Sequence, residues 1–231
     1  MASSSPDDRG IWIVIAAYNE GAVIGDVIRP LTGAGYHVVV VDDGSSDSTA
    51  AHAGAAGAAV LRHVINRGQG AALQSGLSYA LRHGADILVT FDADGQHGAD
   101  DVPRLVRPIA DGTADIALGS RFLEHAAAVP RARRLLLRVA VMFTGVVSGI
   151  RLTDAHNGLR ALSRRAAERV ELHLDRMAHA SELVDQLART GLPLVEVPVN
   201  VRYTAYSIEK GQRAGNAVRI VWDYFLNKLS R

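Results

Sequence analysis

Four apolar segments in the first half of the chain alternate with stretches of helical spacing. The apolar segments are residues 11–17, 36–41, 59–64 and 86–91. Uninterrupted apolar runs of this length, rich in Val and Ile, are typical of strands that are buried on both faces of a parallel sheet. The intervening stretches carry apolar or alanine residues at helical spacing and are predicted to be helices: 22–31, 50–58 and 68–82.

This alternation predicts an α/β fold with a Rossmann-like, mostly parallel sheet, helices on both faces and a helical C-terminal part. Ligands of such sheets bind beyond the carboxyl ends of the strands. We therefore expect the polar loops after the first, second and fourth strands to meet at one edge. That places Asp42 and Asp43 beside Asp92 and Asp94.

The second half of the chain is less regular. Its predicted helices are 100–110, 131–150, 163–170, 179–190 and 214–229. Its predicted strands are 115–118 and 194–201, the latter at a sheet edge because its prolines cannot donate to the ladder. The helix at 131–150 is amphipathic with its basic end first, and no internal repeat or linker divides the chain.

Composition excludes several classes of function. The 231 residues contain 25 Lys and Arg against 24 Asp and Glu, so no general nucleic-acid surface is expected. The absence of cysteine excludes disulfides, thiolate-bound metals and a cysteine nucleophile. The polar first ten residues predict a disordered leader, and the most apolar window, Leu135–Ile150, is short and contains Arg138. We expect a cytoplasmic protein, with a peripheral position on the cytoplasmic face of the membrane left open.

Candidate chemistry lies at the end of the fourth strand, where Asp92 and Asp94 flank Ala93. Side chains two apart in an extended segment point the same way. The two carboxylates can therefore share Mg²⁺ or Mn²⁺, which often takes one or two protein carboxylates plus phosphate oxygens. An isolated Asp-x-Asp is more often a pair of turn or capping residues, so this motif alone does not establish a metal site.

Several further motifs occur together with this pair. The chain contains AAYNE at 16–20, VDDGSSDST at 41–49, NRGQG at 66–70 and DADGQH at 92–97. In this order and spacing they resemble family 2 glycosyltransferases of the GT-A fold. The GSR at 119–121, TD at 153–154 and NGLR at 157–160 are similar to those of the dolichyl/polyprenyl-phosphate mannose synthase branch. The resemblance implies a GT-A domain over 11–212, after the leader at 1–10 and before an amphipathic helix at 213–231.

The resemblance implies a nucleotide diphosphate sugar as donor, GDP- or UDP-linked, with Mg²⁺ or Mn²⁺ on Asp92 and Asp94. The implied donor-binding residues are Ala17, Tyr18, Glu20, Asp42, Gly70, Asp92, Ala93, Asp94, Gln96, Arg202 and Lys210. For Asp43, Ser45 and Asp47 we favour turn and helix-capping roles, and a direct role of His97 is left open. The loop at 206–211 departs from the family's usual form and has Lys210 offset, so the cation that contacts the diphosphate is not assigned.

The resemblance further implies an inverting hexosyltransferase whose acceptor is a polyprenyl phosphate. Asp92, Asp94 and Arg121 are its implied catalytic residues, and Arg121, Arg133 and Arg134 would bind the acceptor phosphate. The Asp154–Asn157 loop would shape the acceptor or donor pocket. A small integral-membrane partner and a homo-oligomer are left open as partners, and no nucleic acid is expected.

Two other hypotheses remain. A hydroxyl acceptor would need a general base such as Glu182, for which we favour a structural or pocket-lining role. A non-catalytic sugar-binding subunit is disfavoured because Asp92, Asp94 and Arg121 are all present.

Overall fold

Seven strands form one sheet in the computed structural model, which describes residues 10–123, 152–154, 157–172 and 178–202, without the side chains of 178–181. The strands are β1 (Ile11–Ala17), β2 (His37–Asp42), β3 (Ala59–Arg62), β4 (Ile87–Asp92), β5 (Ile116–Ser120), β6 (Arg160–Ser163) and β7 (Leu194–Pro198). Their order is β3-β2-β1-β4-β6-β5-β7. All described pairings are parallel except those of β6, which is antiparallel to β4 and β5. The predicted mostly parallel sheet is confirmed.

Helices cover both faces of the sheet, as predicted. They are α1 (Ile24–Gly33), α2 (Thr49–Ala55), α3 (Gln69–Arg82), α4 (Val102–Ala110), α5 (Arg164–Ala167) and α6 (Ala178–Arg189), with a 3₁₀ turn at Ala99–Asp101 before α4. Side chains of α1, α2 and α4 share one hydrophobic cluster, and those of α3, α5 and α6 share another. Ile13 and Ile15 of β1 enter the first cluster and Val14 enters the second, as expected of a strand buried on both faces.

Helix α3 packs closely on β1 and β2 through Gly76. A Cβ atom at this position would overlap a methyl group of Val14 and lie 3.2 Å from one of Val41. Both valines are fully buried, so neither can move aside into solvent. The glycine therefore sets the distance between the helix and the sheet.

Gly76→Ala is expected to lower the free energy of unfolding by about 1–3 kcal/mol, because it overpacks this contact. Urea denaturation of the ligand-free protein measures the loss. Gly33→Ala, in the last turn of α1, is the matched control because nothing lies within 4 Å of the added Cβ. Equal stability of the two variants would contradict the close packing.

The predicted elements of the second half are only partly right. The helix predicted at 163–170 is reduced to α5, the strand predicted at 115–118 lies at 116–120, and the edge strand predicted at 194–201 stops at Pro198. Strand β6 was not predicted. Residues 1–9 of the leader predicted at 1–10, and the helices expected at 131–150 and 213–231, lie outside the described residues. Within the described part, no helix has both the length and the apolarity to cross a bilayer.

Candidate active site

One edge of the sheet collects most of the motif residues. Strands β1, β2, β4 and β5 are parallel within the sheet, so their carboxyl ends lie on the same side. Strand β6 runs the other way, and its first residue, Arg160, pairs with Thr90 of β4 and Leu118 of β5. The amino end of β6 therefore joins the carboxyl ends of its neighbours. The predicted meeting of the loops after β1, β2 and β4 is confirmed.

The loop after β1 is tied to the loop after β2. The Asn19 amide donates to Ser45 Oγ at 2.9 Å, and the Gly21 amide donates to Asp47 Oδ2 at 3.0 Å. Asn19 has a φ of 53°, and these bonds hold it in that turn conformation. Ser45 and Asp47 thus have the turn-holding roles favoured from the sequence. Tyr18, at the tip, keeps 47% of its surface exposed.

Asp42, at the end of β2, is completely buried. Its Oδ1 accepts a hydrogen bond from the Ser45 amide at 3.0 Å. Its Oδ2 lies 3.3 Å from Arg62 Nε but accepts no hydrogen bond within the described part of the chain. A buried carboxylate oxygen without a hydrogen-bond donor is a costly arrangement, which a ligand N–H or O–H would relieve.

Asp43 fastens the loop that leads into α3. Its carboxylate accepts hydrogen bonds from the amides of Arg67 (2.9 Å) and Gly68 (2.7 Å) and lies 2.6 Å from His63 Nδ1. Gly68 has a φ of 93°, which only glycine adopts readily, and Gly70 is buried in the first turn of α3. The start of α3 is therefore held in a fixed position at the site edge.

Asp92 and Asp94 interact electrostatically, although not with the geometry expected from the sequence. Asp92 ends β4, whereas Asp94 stands in the turn that follows, so the rule for extended segments does not apply to it. Burial, and then the charge of Asp92, raise the pKa of Asp94 above its ordinary value. One carboxylate oxygen of Asp94 accepts a hydrogen bond from the backbone amide of Gln96 at 3.0 Å. The other accepts a hydrogen bond from the side-chain amide of Gln96. Ala93, which separates the two aspartates in the sequence, is buried.

His97 lies beside this pair. Its Nε2 is 3.4 Å from Asp92 Oδ2, and its ring packs edge-on against Phe91 with centroids 6.0 Å apart. Its Nδ1 is buried and has no hydrogen-bond partner within the described residues. The structure thus makes His97 a neighbour of the candidate metal pair.

A buried arginine connects the two halves of the site. Arg160 is 3% exposed. Burial lowers the pKa of its guanidinium, while the charges of Asp92 and Asp154 act in the opposite direction. Because the pKa of arginine is far above neutrality, the group remains a fixed positive charge between these carboxylates. The motif at 157–160 was recognised from the sequence, but this role of Arg160 was missed.

Arg121 and Asp154 form a buried ion pair next to Arg160. Asp154 Oδ2 accepts from the Arg121 amide at 3.2 Å and from Arg121 Nε at 2.6 Å. Asp154 Oδ1 is buried without a hydrogen-bond partner in the described part of the chain. On the other side, Glu196 of β7 accepts from the amides of Thr153 (2.8 Å) and Asp154 (3.1 Å). Glu196 therefore holds the loop that carries Asp154, a role that no sequence pattern indicated.

Three of the remaining candidate residues, Arg202, Glu182 and Asn157, lie in the described part of the chain. The Arg202 amide donates to the Gln96 carbonyl at 2.8 Å, which brings Arg202 to the loop after β4. Glu182 of α6 is buried. Asn157 is buried, and its Oδ1 accepts from the Leu159 amide at 2.9 Å. The other predicted cationic residues, Arg133, Arg134 and Lys210, lie outside the described residues.

Comparison with known proteins identifies the family. The profile of the family described as "Glycosyl transferase family 2" matches residues 12–171, well over half of the chain. The chain is a family 2 glycosyltransferase. The resemblance drawn from the sequence motifs is thereby confirmed, and the protein is an enzyme of this family.

Relatives cover almost the whole glycosyltransferase. An uncharacterised protein of Methanocaldococcus jannaschii is 37% identical over 95% of this chain and 92% of its own length. A UDP-N-acetylglucosamine–dolichyl-phosphate N-acetylglucosaminyltransferase of Methanococcus voltae is 29% identical over 97% and 98%. A polyprenol monophosphomannose synthase of Mycolicibacterium smegmatis is 29% identical over 94% and 86%.

A solved structure shows the same fold. Glucosyl-3-phosphoglycerate synthase of Mycobacterium tuberculosis, in complex with Mn²⁺, UDP-glucose and phosphoglyceric acid, has a TM-score of 0.72 at 22% identity. The match covers 96% of this glycosyltransferase and 79% of the solved chain. It supports the GT-A architecture predicted from the sequence.

Gly158 lies against Asp92, one of the two candidate metal ligands of this glycosyltransferase. A Cβ atom on Gly158 would overlap the carboxylate of Asp92, and Thr90 Oγ1 holds the Gly158 carbonyl at 2.7 Å. Gly158→Ala is therefore expected to displace the Asp92 carboxylate and to slow sugar transfer by about 10- to 100-fold.

Initial rates with a fixed nucleotide sugar measure this effect, and circular dichroism checks the fold. Gly33→Ala is again the control and should keep the parent rate. A Gly158→Ala enzyme as fast as the parent would show that Asp92 does not need its present position.

Proposed function

We propose that the enzyme transfers a hexose, with inversion, from a GDP- or UDP-linked sugar to a polyprenyl phosphate. The observation that carries the proposal is the junction of Asp92 and Asp94 with Arg160 and the Arg121–Asp154 pair at one sheet edge. Carboxylates can hold the metal ion that binds a diphosphate, and a guanidinium can bind a second phosphate directly. Relatives named for dolichyl-, polyprenol- and undecaprenyl-phosphate transfer support this acceptor class.

Asp92 and Asp94 fit Mg²⁺ or Mn²⁺. The raised pKa of Asp94 reflects burial and a like charge nearby, both of which a cation would offset. In the described part of the chain no three His, Cys, Asp or Glu side chains cluster as a metal cage, so further ligands would come from the diphosphate. A bound divalent ion would neutralise the leaving diphosphate as a Lewis acid. The solved relative with Mn²⁺ and UDP-glucose supports the choice of metal.

On the donor side, Asp42 would accept a hydrogen bond from the base or ribose through Oδ2, the oxygen that accepts none from the described residues. Ala17, Tyr18 and Glu20 border the same loop. The amino end of α3, with Gly70 in its first turn, would present amide groups to a phosphate. These contacts would hold the sugar carbon within reach of the acceptor.

On the acceptor side, a phosphate oxygen is already ionised at neutral pH, so it can attack without a general base. The task of the protein is then orientation and charge screening. Arg121, oriented by Asp154, would bind the phosphate, and Arg133 and Arg134 would join it. Arg202, anchored at Gln96, and Lys210 are the candidates for closing over the donor diphosphate.

The test is transfer from radiolabelled nucleotide sugars to a detergent-dispersed polyprenyl phosphate. We expect a product that extracts into organic solvent, requires Mg²⁺ or Mn²⁺ and is lost in Arg121→Gln but retained in Arg107→Gln, a control on α4 with an 83% exposed side chain. Label found only in a water-soluble glycoside would overturn the lipid acceptor. A cytoplasmic location and a small integral-membrane partner belong to the same proposal.

A hydroxyl acceptor is the second candidate, favoured by the buried carboxylate Glu182 and by a solved neighbour crystallised with phosphoglyceric acid. Glu182 would then act as the general base. Glu182→Gln would abolish transfer to a hydroxyl, whereas it should have a milder effect on transfer to a phosphate.

A further inference from the structure

The loop between β3 and α3 presents two fully apolar side chains to solvent. Val64 is 98% exposed and Ile65 is 68% exposed, the two highest values among the large apolar side chains of the described residues. Single exposed apolar residues are common on protein surfaces. Two adjacent exposed apolar residues at the tip of a loop are less common, and the residues around them indicate which kind of surface they contact.

The tip is held rigidly. The carboxylate of Asp43 contacts His63, which directly precedes the tip, and the amides of Arg67 and Gly68, which follow the tip after Asn66. His63 is further fixed by Ser75 Oγ at 3.0 Å from its Nε2. Val64 and Ile65 are therefore presented by a braced turn, which reduces the entropy lost when the tip is buried against another surface.

The charged side chains that flank the tip along the chain are all positive. No Asp or Glu occurs between Asp47 and Asp86, and the only arginines in that stretch are Arg62, Arg67 and Arg82. Arg67 and Arg82, both exposed, line with Ile65 a groove of about 680 Å³ along α3. The carboxylates next to the tip, those of Asp42 and Asp43, are buried, so the charges exposed beside it along the chain are positive. An apolar tip flanked by exposed cations matches the anionic headgroup layer of a bilayer, where arginine meets phosphate and apolar groups meet acyl chains.

The position of the loop agrees with this partner. Strand β3 is parallel to β2, with Asp42 paired to Arg62, so the tip leaves the sheet at the edge that holds the candidate active site. We propose that Val64 and Ile65, with Arg67 and Arg82, dock this face of the enzyme onto an anionic membrane surface. The orientation of the site toward a lipid acceptor rests on the proposed function, whereas the docking itself does not.

Flotation of the full chain with phosphatidylcholine vesicles, with and without phosphatidylglycerol, tests the proposal. We expect the parent to bind anionic vesicles. Binding should fall about tenfold in Val64→Ser/Ile65→Ser and persist in Val64→Leu/Ile65→Leu. It should weaken in Arg67→Gln but not in the control Arg107→Gln. Arg107 lies on the opposite face of the sheet from α3. The melting temperatures of both double variants should match that of the parent, because the side chains of Val64 and Ile65 are exposed.

Insertion has a direct readout in Val64→Trp, whose emission should shift to the blue and be quenched by brominated lipids more strongly than that of the parent. Vesicle binding unchanged in the Ser pair, or no binding by the parent, would overturn the docking. Sugar transfer measured in detergent does not depend on membrane docking, so the Val64→Ser/Ile65→Ser variant should keep the parent rate in that assay. A parent enzyme that shows no transfer in detergent would refute the proposed function but not the docking.

Discussion

Asp94→Asn is expected to reduce sugar transfer by about 10²–10³-fold while making the ligand-free protein more stable at neutral pH. Transfer falls because one of the two carboxylates proposed to hold the metal is lost. Stability rises because Asp94 is partly buried beside Asp92, and both effects raise its pKa. The Gln96 amide, which now donates to Asp94, can turn its oxygen toward the new side-chain amide.

The pH dependence of this gain has a definite sign. Below the ordinary pKa of about 3.8, Asp94 is neutral in the folded and unfolded states, and parent and variant should melt alike. As the pH rises through the raised pKa of the folded state, the parent loses stability that the variant keeps. Melting temperatures in the presence of a chelator should therefore diverge with pH and then run parallel.

The matched control is Asp26→Asn, whose carboxylate is 82% exposed on α1. It should change neither the rate nor the melting temperature by a measurable amount. Mn²⁺ together with a nucleoside diphosphate should raise the melting temperature of the parent but not of Asp94→Asn. A variant that melts below the parent at neutral pH would contradict the repulsion between the two carboxylates.

Arg160→Met is expected to lower the free energy of unfolding by about 3 kcal/mol. The substitution removes the fixed charge between Asp92 and Asp154 and leaves both carboxylates without it. Asp154 keeps Arg121, and the Asp92 side chain is 30% exposed, so the loss should not exceed the usual cost of breaking a buried pair. Urea denaturation measures the change.

Two variants bracket that result. Arg160→Lys keeps the charge and should recover part of the stability, and Arg107→Met, whose ion pair with Asp111 is exposed, should cost at most about 0.5 kcal/mol. If Arg160→Met cost no more than Arg107→Met, Arg160 would not stabilise these carboxylates. Transfer should fall in Arg160→Met as well, because Asp92 would lose its orientation.

The first half of the fold could be predicted because its strands are buried on both faces. Their apolar runs are uninterrupted, and the polar residues that end them, such as Asp42 and Asp92, mark the site edge. Strand β6 could not be predicted, because four residues that begin with an arginine show neither an apolar run nor an alternation. Only its partners β4 and β5 make it a strand.

The site was predictable where a motif carries a chemical role and not where a residue acts through its neighbours. Asp92 and Asp94 are recognisable as a pair, but the turn that places Asp94 is not. Arg160 looks in sequence like any loop arginine, and its burial between two carboxylates exists only in the folded sheet. Glu196 is likewise one polar residue in a strand until it meets Thr153 and Asp154.

The inserted strand β6 also sets an order for folding during synthesis. Among the described strands, β5 and its neighbour β7 join the rest of the sheet through β6, since β4 and β5 are not neighbours. At about 5–20 residues per second, the ribosome needs roughly 2–8 s to make the segment between Ser120 and Arg160. Throughout that interval neither strand that pairs with β5 in the described sheet, β6 or β7, has been made, whereas β1, β2, β3 and β4 can already form a sheet. The Arg121 side of the cleft is therefore completed last, and a nascent chain that stalls before Arg160 exposes an unpaired strand to aggregation.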